Sequence, residues 1–178
     1  MKLNLPEIQH RNFVPFEGIA AFIDKPSERP AHLVNFDTEK IEEGAPISFT
    51  RAAVEAALPT LLGMGLCFQE GSYQNHAPRS KCGLITEAWV EGNELRIRGG
   101  LYGLDFPDVV AELQKNYRHL ALCPMMRDLE IDPKTLPELF SVLKMTFTGV
   151  ALMRAGTTGF DGTTIRLKRS AVQITLAA

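Results

Sequence analysis

The stretch CGLITEAWV-EGN-ELRIRGGLYG, residues 82–103, restricts the choice of fold more than any other part of the chain. Two apolar-rich runs flank three residues, of which Gly92 and Asn93 tolerate positive φ, as a tight reversal between antiparallel strands requires. In the returning run Leu95 and Ile97 alternate with Arg96 and Arg98, so one face of the ribbon is hydrocarbon and the other carries guanidinium groups. A two-stranded ribbon of this kind is at best marginal in water. It needs more strands or a helix against its apolar face.

The flanking segments are read as follows. Residues 1–30 hold Pro6, Pro15, Pro26 and Pro30 among apolar residues without a clean period (Phe13, Val14, Phe16, Ile19, Phe22, Ile23). They form an extended N-terminal arm or irregular strands, packed as a loop or laid on a neighbouring subunit, and residues 31–178 form a single domain. AHLVNFD (31–37) is a short strand and EKIEEGAP a polar loop. Thr50 caps a helix with Ala53, Ala57 and Leu61 on one face, and Pro59 kinks or restarts it. Residues 71–81 are loop. Asp105 is an N-cap, with Pro107 and Asp108 in the first turn and Val109, Val110, Leu113 and Tyr117 on the apolar face. LALCPMMRDLEI is a strand, DPKTLPEL a turn with a short helical piece, and FSVLKMTFTGVALM a strand with a bulge or bend at Gly149. A glycine-rich turn and a last strand follow. The expected class is α/β of the α+β kind, a mainly antiparallel sheet or barrel with flanking helices.

Composition narrows the function classes. Hydrophobic residues make up 45% of the 178, enough for a core that needs no disulfide or metal. Net charge is -2, with no basic stripe interleaved with aromatics, so direct nucleic-acid binding is not expected. No apolar run reaches the length of a membrane span. MKLNLPEIQHRNF has no signal-peptide core, which points to assembly inside a cell. Cys67, Cys82 and Cys123 form no CxxC pair, and His10, His32, His76 and His119 form no HxH or HxxxH pair; neither a metal nor a cofactor is expected. The phosphate-binding loops and the GxSxG elbow are missing.

Cys123 and His76 remain as the chemical candidates. A thiolate attacks a carbonyl well, and an imidazole can take its proton and return it to the leaving amine. The plainer alternative is that Cys123 is a small core residue and His76 a surface histidine in a polar loop. His119 is the poorer base, because four residues of strand span more than ~12 Å. Asp128 and Glu130 are the acids available to orient a base, and solvated surface is their simpler reading.

Taken together, NHAPRSKCGLITEAWVEGNELRIRGGLYGLDFPDVVAEL, LALCPMMRDLEI and FTGVALMRAGTTGFDGTTI resemble the tailed-bacteriophage prohead maturation proteases, which share the herpesvirus assemblin fold. The resemblance spans roughly residues 50–168. It implies an assemblin-like sheet, with His76 at the family's histidine and Cys123 at the place of its serine nucleophile. Two departures matter, although a thiol in place of a hydroxyl can keep nucleophilic chemistry. Cysteine replaces serine, and Pro124-Met125 replaces the aromatic-acid pair that often follows; proline removes a backbone N–H where an oxyanion donor would be useful. The resemblance therefore implies a phage head protein of the virion, assembled in host cytoplasm: a capsid cement or decoration protein or assembly factor that no longer cuts. The alternative is an active Cys–His maturation endopeptidase. The implied partner is the major capsid protein or the scaffold protein, or a second copy of the chain.

Overall fold

The computed structural model describes residues 2–6, 10–35, 40–68, 80–116 and 120–168, with side chains excluded over 32–35 and 40–43. Among these residues ten strands and two short helices follow one another as β1 (Lys2–Asn4), β2 (Phe13–Phe22), β3 (Pro26–Asn35), β4 (Lys40–Phe49), α1 (Arg51–Ala57), β5 (Gly65–Phe68), β6 (Lys81–Glu91), β7 (Glu94–Tyr102), α2 (Pro107–Lys115), β8 (Leu120–Ile131), β9 (Phe140–Arg154) and β10 (Thr164–Leu167). A single curled half-barrel sheet contains all ten strands, in the order β10-β2-β7-β6-β5-β9-β4-β3, with β1 added to β6 and β8 added to β9. Pairing is antiparallel except where β9 meets β4 and β5. The sheet-dominated, mainly antiparallel class expected from the sequence is therefore observed.

The central hairpin forms β6 and β7, with Gly92 at φ 58 in the turn and Leu95 and Ile97 fully buried. Its apolar face meets the inner residues of β2, β8 and β9, among them Phe16, Leu122, Phe147 and Val150. Each large side chain removed from water here contributes about 1.5–3 kcal/mol. The curl is tight enough that Gly18 of β2 has no room for a side chain: a Cβ there would lie 2.2 Å from the Thr164 carbonyl oxygen and 2.5 Å from Leu122 Cδ1.

Several expectations are corrected. The described residues among the first 30 form irregular strands of the main sheet and are not an arm set apart from it. β1 pairs with β6, and β2 lies inside the sheet between β10 and β7, with Phe16 fully buried. Its alternation is hidden in the sequence because a bulge between Ile19 and Ala21 brings both Ala20 and Ala21 to the buried side. Of EKIEEGAP, Lys40–Pro46 is part of β4 and not a loop, and Glu39 lies outside the described residues. Asp105 does not cap α2: the N-cap position is Phe106, and Asp105 accepts a hydrogen bond from Asn12 Nδ2 at 2.6 Å instead. The helix ends at Lys115, and Tyr117 lies outside the described residues. Other local readings hold. Thr50 Oγ1 accepts from Ala53 N–H, and a 3-10 turn, Leu58–Leu61, restarts the chain at Pro59. Gly149 adopts φ 152, opposite a register break in β8.

Candidate functional site

Cys123 sits on β8 beside Ala151 of β9, one residue after the fully buried Leu122. Strand alternation turns Leu122 into the core and Cys123 to the opposite face. The residue as a whole is partly exposed, but its sulfur is closely surrounded, by the Pro124 carbonyl oxygen at 3.9 Å and by the backbone N–H of Gly159. Desolvation pushes the thiol up to about 11, and the Gly159 N–H offsets only part of that rise. The group is thus a protonated thiol at neutral pH, whereas a nucleophilic cysteine needs its pKa lowered.

The partners expected for it are placed as follows. His76 and His119 lie outside the described residues. Asp128 and Glu130 lie on β8 itself, five and seven residues further on, about 16 Å and more along an extended strand. Asp128 is exposed, adopts φ 55 at a break in the ladder and pairs with Arg127 at 3.3 Å. Glu130 stands opposite Lys144. Neither acid is brought to Cys123. Pro124 follows Cys123 in the strand and contributes no N–H, as the sequence requires.

The other two thiols are also held protonated. Burial raises Cys67, with Lys81 acting weakly against it. Cys82 is fully buried, and burial pushes it up to about 12 although a hydrogen bond from its own backbone acts against the rise; the thiol donates to the Leu66 carbonyl oxygen at 3.4 Å. Among the described residues no three His, Cys, Asp or Glu side chains gather as metal ligands.

A polar feature that motif reading passed over lies on the outer face of β1, β6, β7, β2 and β10. The register sets Arg166, Glu17, Arg98 and Glu87 side by side across four strands, so charges alternate in sign along one row. Arg98 bridges the two carboxylates, reaching Glu17 at 2.7 Å and Glu87 at 2.8 Å, and lies 5.3 Å from the centre of the Trp89 ring. Lys2 pairs with Glu87 at 2.7 Å, Lys168 with Glu17 at 3.3 Å and Arg96 with Glu17 at 3.6 Å. Burial alone would raise both carboxylates. For Glu17 the hydrogen bonds and charges of Arg98 and Lys168 outweigh it; for Glu87 those of Lys2 and Arg98 do, and both groups are held below the ordinary carboxylate value. The alternation of Arg96 and Arg98 is visible in the sequence, but the partners of Arg98 lie 81 and 11 residues away on other strands and are not.

No protein-family model, no curated protein and no solved structure matches the chain. What the described residues offer is thus a masked thiol on one strand and an ion-paired outer face, with no assembled nucleophile, base and acid among them.

Proposed function

We propose that the protein is a non-catalytic structural component of a tailed-phage head, a cement or decoration protein or an assembly factor bound to the shell or scaffold subunit. It would stand on a sheet similar to that of the prohead proteases, with the cutting chemistry lost. The observation that carries the loss of cutting is the state of Cys123: its thiol is raised to about 11 by burial, Pro124 denies it a neighbouring N–H, and the acids of β8 are displaced along the strand. The placement in a phage head rests on the sequence resemblance. A binding role is supported by the β3–β4 ribbon. Among the described residues only Ile47–Phe49 of β4 pair with β9, and none of them bonds a third strand to the ribbon beyond Pro46, which would suit the edge for pairing with a neighbour.

The test is to count copies per purified particle by quantitative mass spectrometry, in wild type and in a Cys123→Ala phage. Copies close to stoichiometric with the shell subunit, and normal processing of shell and scaffold proteins in the variant, are expected. Scarcity in mature particles together with uncleaved precursors in Cys123→Ala would overturn the proposal in favour of a Cys–His endopeptidase.

A further inference from the structure

The segment joining β9 to β10 is anchored in the core, fastened to β3 and laid against Cys123. Gly156 and Gly162 adopt φ 85 and φ 90, a region that glycine enters at no steric cost, so the chain turns sharply near both ends. Between them Thr158 and Phe160 are buried. The Phe160 ring lies 5.7 Å from that of Phe49 and 6.2 Å from that of Phe22, inside the main core. Thr158 Oγ1 donates to the Phe160 carbonyl oxygen at 2.9 Å and lies 3.2 Å from Thr163 Oγ1, so the segment holds its own shape. Gly159, between these two residues, directs its N–H to the Cys123 sulfur.

The same segment is tied down by β3. The register of β3 against β4 shifts between Pro26 and Pro30, and Glu28 and Arg29, which lie in that gap, turn to the segment. Arg29 N–H donates to the Gly159 carbonyl oxygen at 3.1 Å. Arg29 Nη1 donates to the Thr158 carbonyl oxygen at 3.0 Å and to Asp161 Oδ1 at 2.6 Å. Glu28 Oε2 accepts from Asp161 N–H at 2.9 Å. Gly159 is thus gripped through its carbonyl by β3 while its N–H covers the thiol. The Arg29 and Asp161 side chains are 39% and 58% exposed, so salt reaches this grip. We propose that residues 156–162 are a strap closed over Cys123, hinged at the two glycines and latched to β3 by the Arg29–Asp161 pair. The closed strap keeps solutes from the thiol, and release of the latch admits them. The device stands apart from any role in a phage head: a structural protein keeps the strap shut, and a cutting enzyme has to open it.

The experiment follows alkylation of the full chain by iodoacetamide at pH ~8.5, the ordinary thiol value, with mass spectrometry resolving Cys67, Cys82 and Cys123. Loss of one partly exposed ion pair raises the open population a few-fold. Cys123 should react about threefold faster in Asp161→Asn than in wild type. In Arg29→Gln the rise should be about fivefold, because the bond to Thr158 goes as well. Cys82, fully buried in the core, should keep its wild-type rate in both. Raising salt from ~0.01 M to ~1 M shortens the screening length from about 30 Å to about 3 Å, and should speed Cys123 in wild type more than in Asp161→Asn. Equal Cys123 rates in wild type and both variants would overturn the proposal. So would a rise shared equally by Cys82, which marks loosening of the whole fold, or a wild-type Cys123 rate indifferent to salt. Copy number per particle has no bearing on these rates, so the strap and the head assignment can fail separately.

Discussion

The reactivity of Cys123 can be worked out from its surroundings and tested one cysteine at a time. With the thiol at about 11, the thiolate fraction at pH 7.5 is about 3 in 10,000, against about one in ten for an ordinary cysteine with a pKa of ~8.5. That is a deficit of about 300-fold. A more basic thiolate is also a better nucleophile, and a Brønsted slope of about 0.4–0.5 over 2.5 units returns roughly a factor of 10 to 18. The net expectation is an exchange rate with an aromatic disulfide reagent about 20-fold slower in the folded protein than in urea, before any steric hindrance from Pro124 and Gly159. Mass spectrometry of the derivatised peptides separates Cys123 from Cys67 and Cys82. Between pH 7 and 10 the folded-state rate should climb about tenfold per unit without levelling off. A rate equal to or above that of the unfolded chain, or a plateau reached below pH 8, would refute the argument from burial and restore an activated thiol.

Three further outcomes follow from the packing and the ion pairs. Arg98→Met strips Glu17 and Glu87 of their shared partner and should cost about 2 kcal/mol in urea unfolding at pH 7. Because both carboxylates are held below the ordinary value, their contribution is present above the unfolded-state value near pH ~4.3 and is lost as pH falls through the folded values; the variant should lose less stability across that acid limb than wild type. Gly18→Ala forces a Cβ onto the Thr164 carbonyl oxygen and Leu122, and should destabilise by about 3 kcal/mol; a loss under about 1 kcal/mol in the same assay contradicts the close approach of β2, β8 and β10. Cys82, pushed up to about 12, binds its proton more tightly folded than unfolded, so stability is full below pH ~8.5 and falls as pH rises toward 12. Cys82→Ala should flatten this alkaline decline, measured by thermal unfolding between pH 8 and 11.

Much of the architecture could be read from local chemistry. Gly92 needed positive φ, Leu95 and Ile97 needed one buried face, Thr50 needed a helix to cap, and Pro59 could not continue one; each requirement acts within a few residues, and each is met. The readings that failed depended on distant partners. Phe16 and Ala20 look irregular because the bulge after Ile19 resets the strand's phase, and a bulge is set by the neighbouring strand β7. Lys40–Pro46 is polar enough to look like loop, and becomes strand because β3 supplies its hydrogen bonds while β9 holds Ile47–Phe49 that follow. Asp105 has the right chemistry for a cap but is taken by Asn12, 93 residues away.

The same division holds for the chemistry. By itself the amino-acid order determined that Cys123 lies in an apolar strand followed by a proline, and that Arg96 and Arg98 share the face opposite Leu95 and Ile97, since both follow from a period of two along the backbone. Tertiary structure alone decided that the Cys123 sulfur is desolvated beneath Gly159, and that Arg98 is held between Glu17 and Glu87. The reason is that a pKa or an ion pair depends on what lies within a few ångströms in space. In a sheet of this order, those neighbours come from strands far apart along the chain.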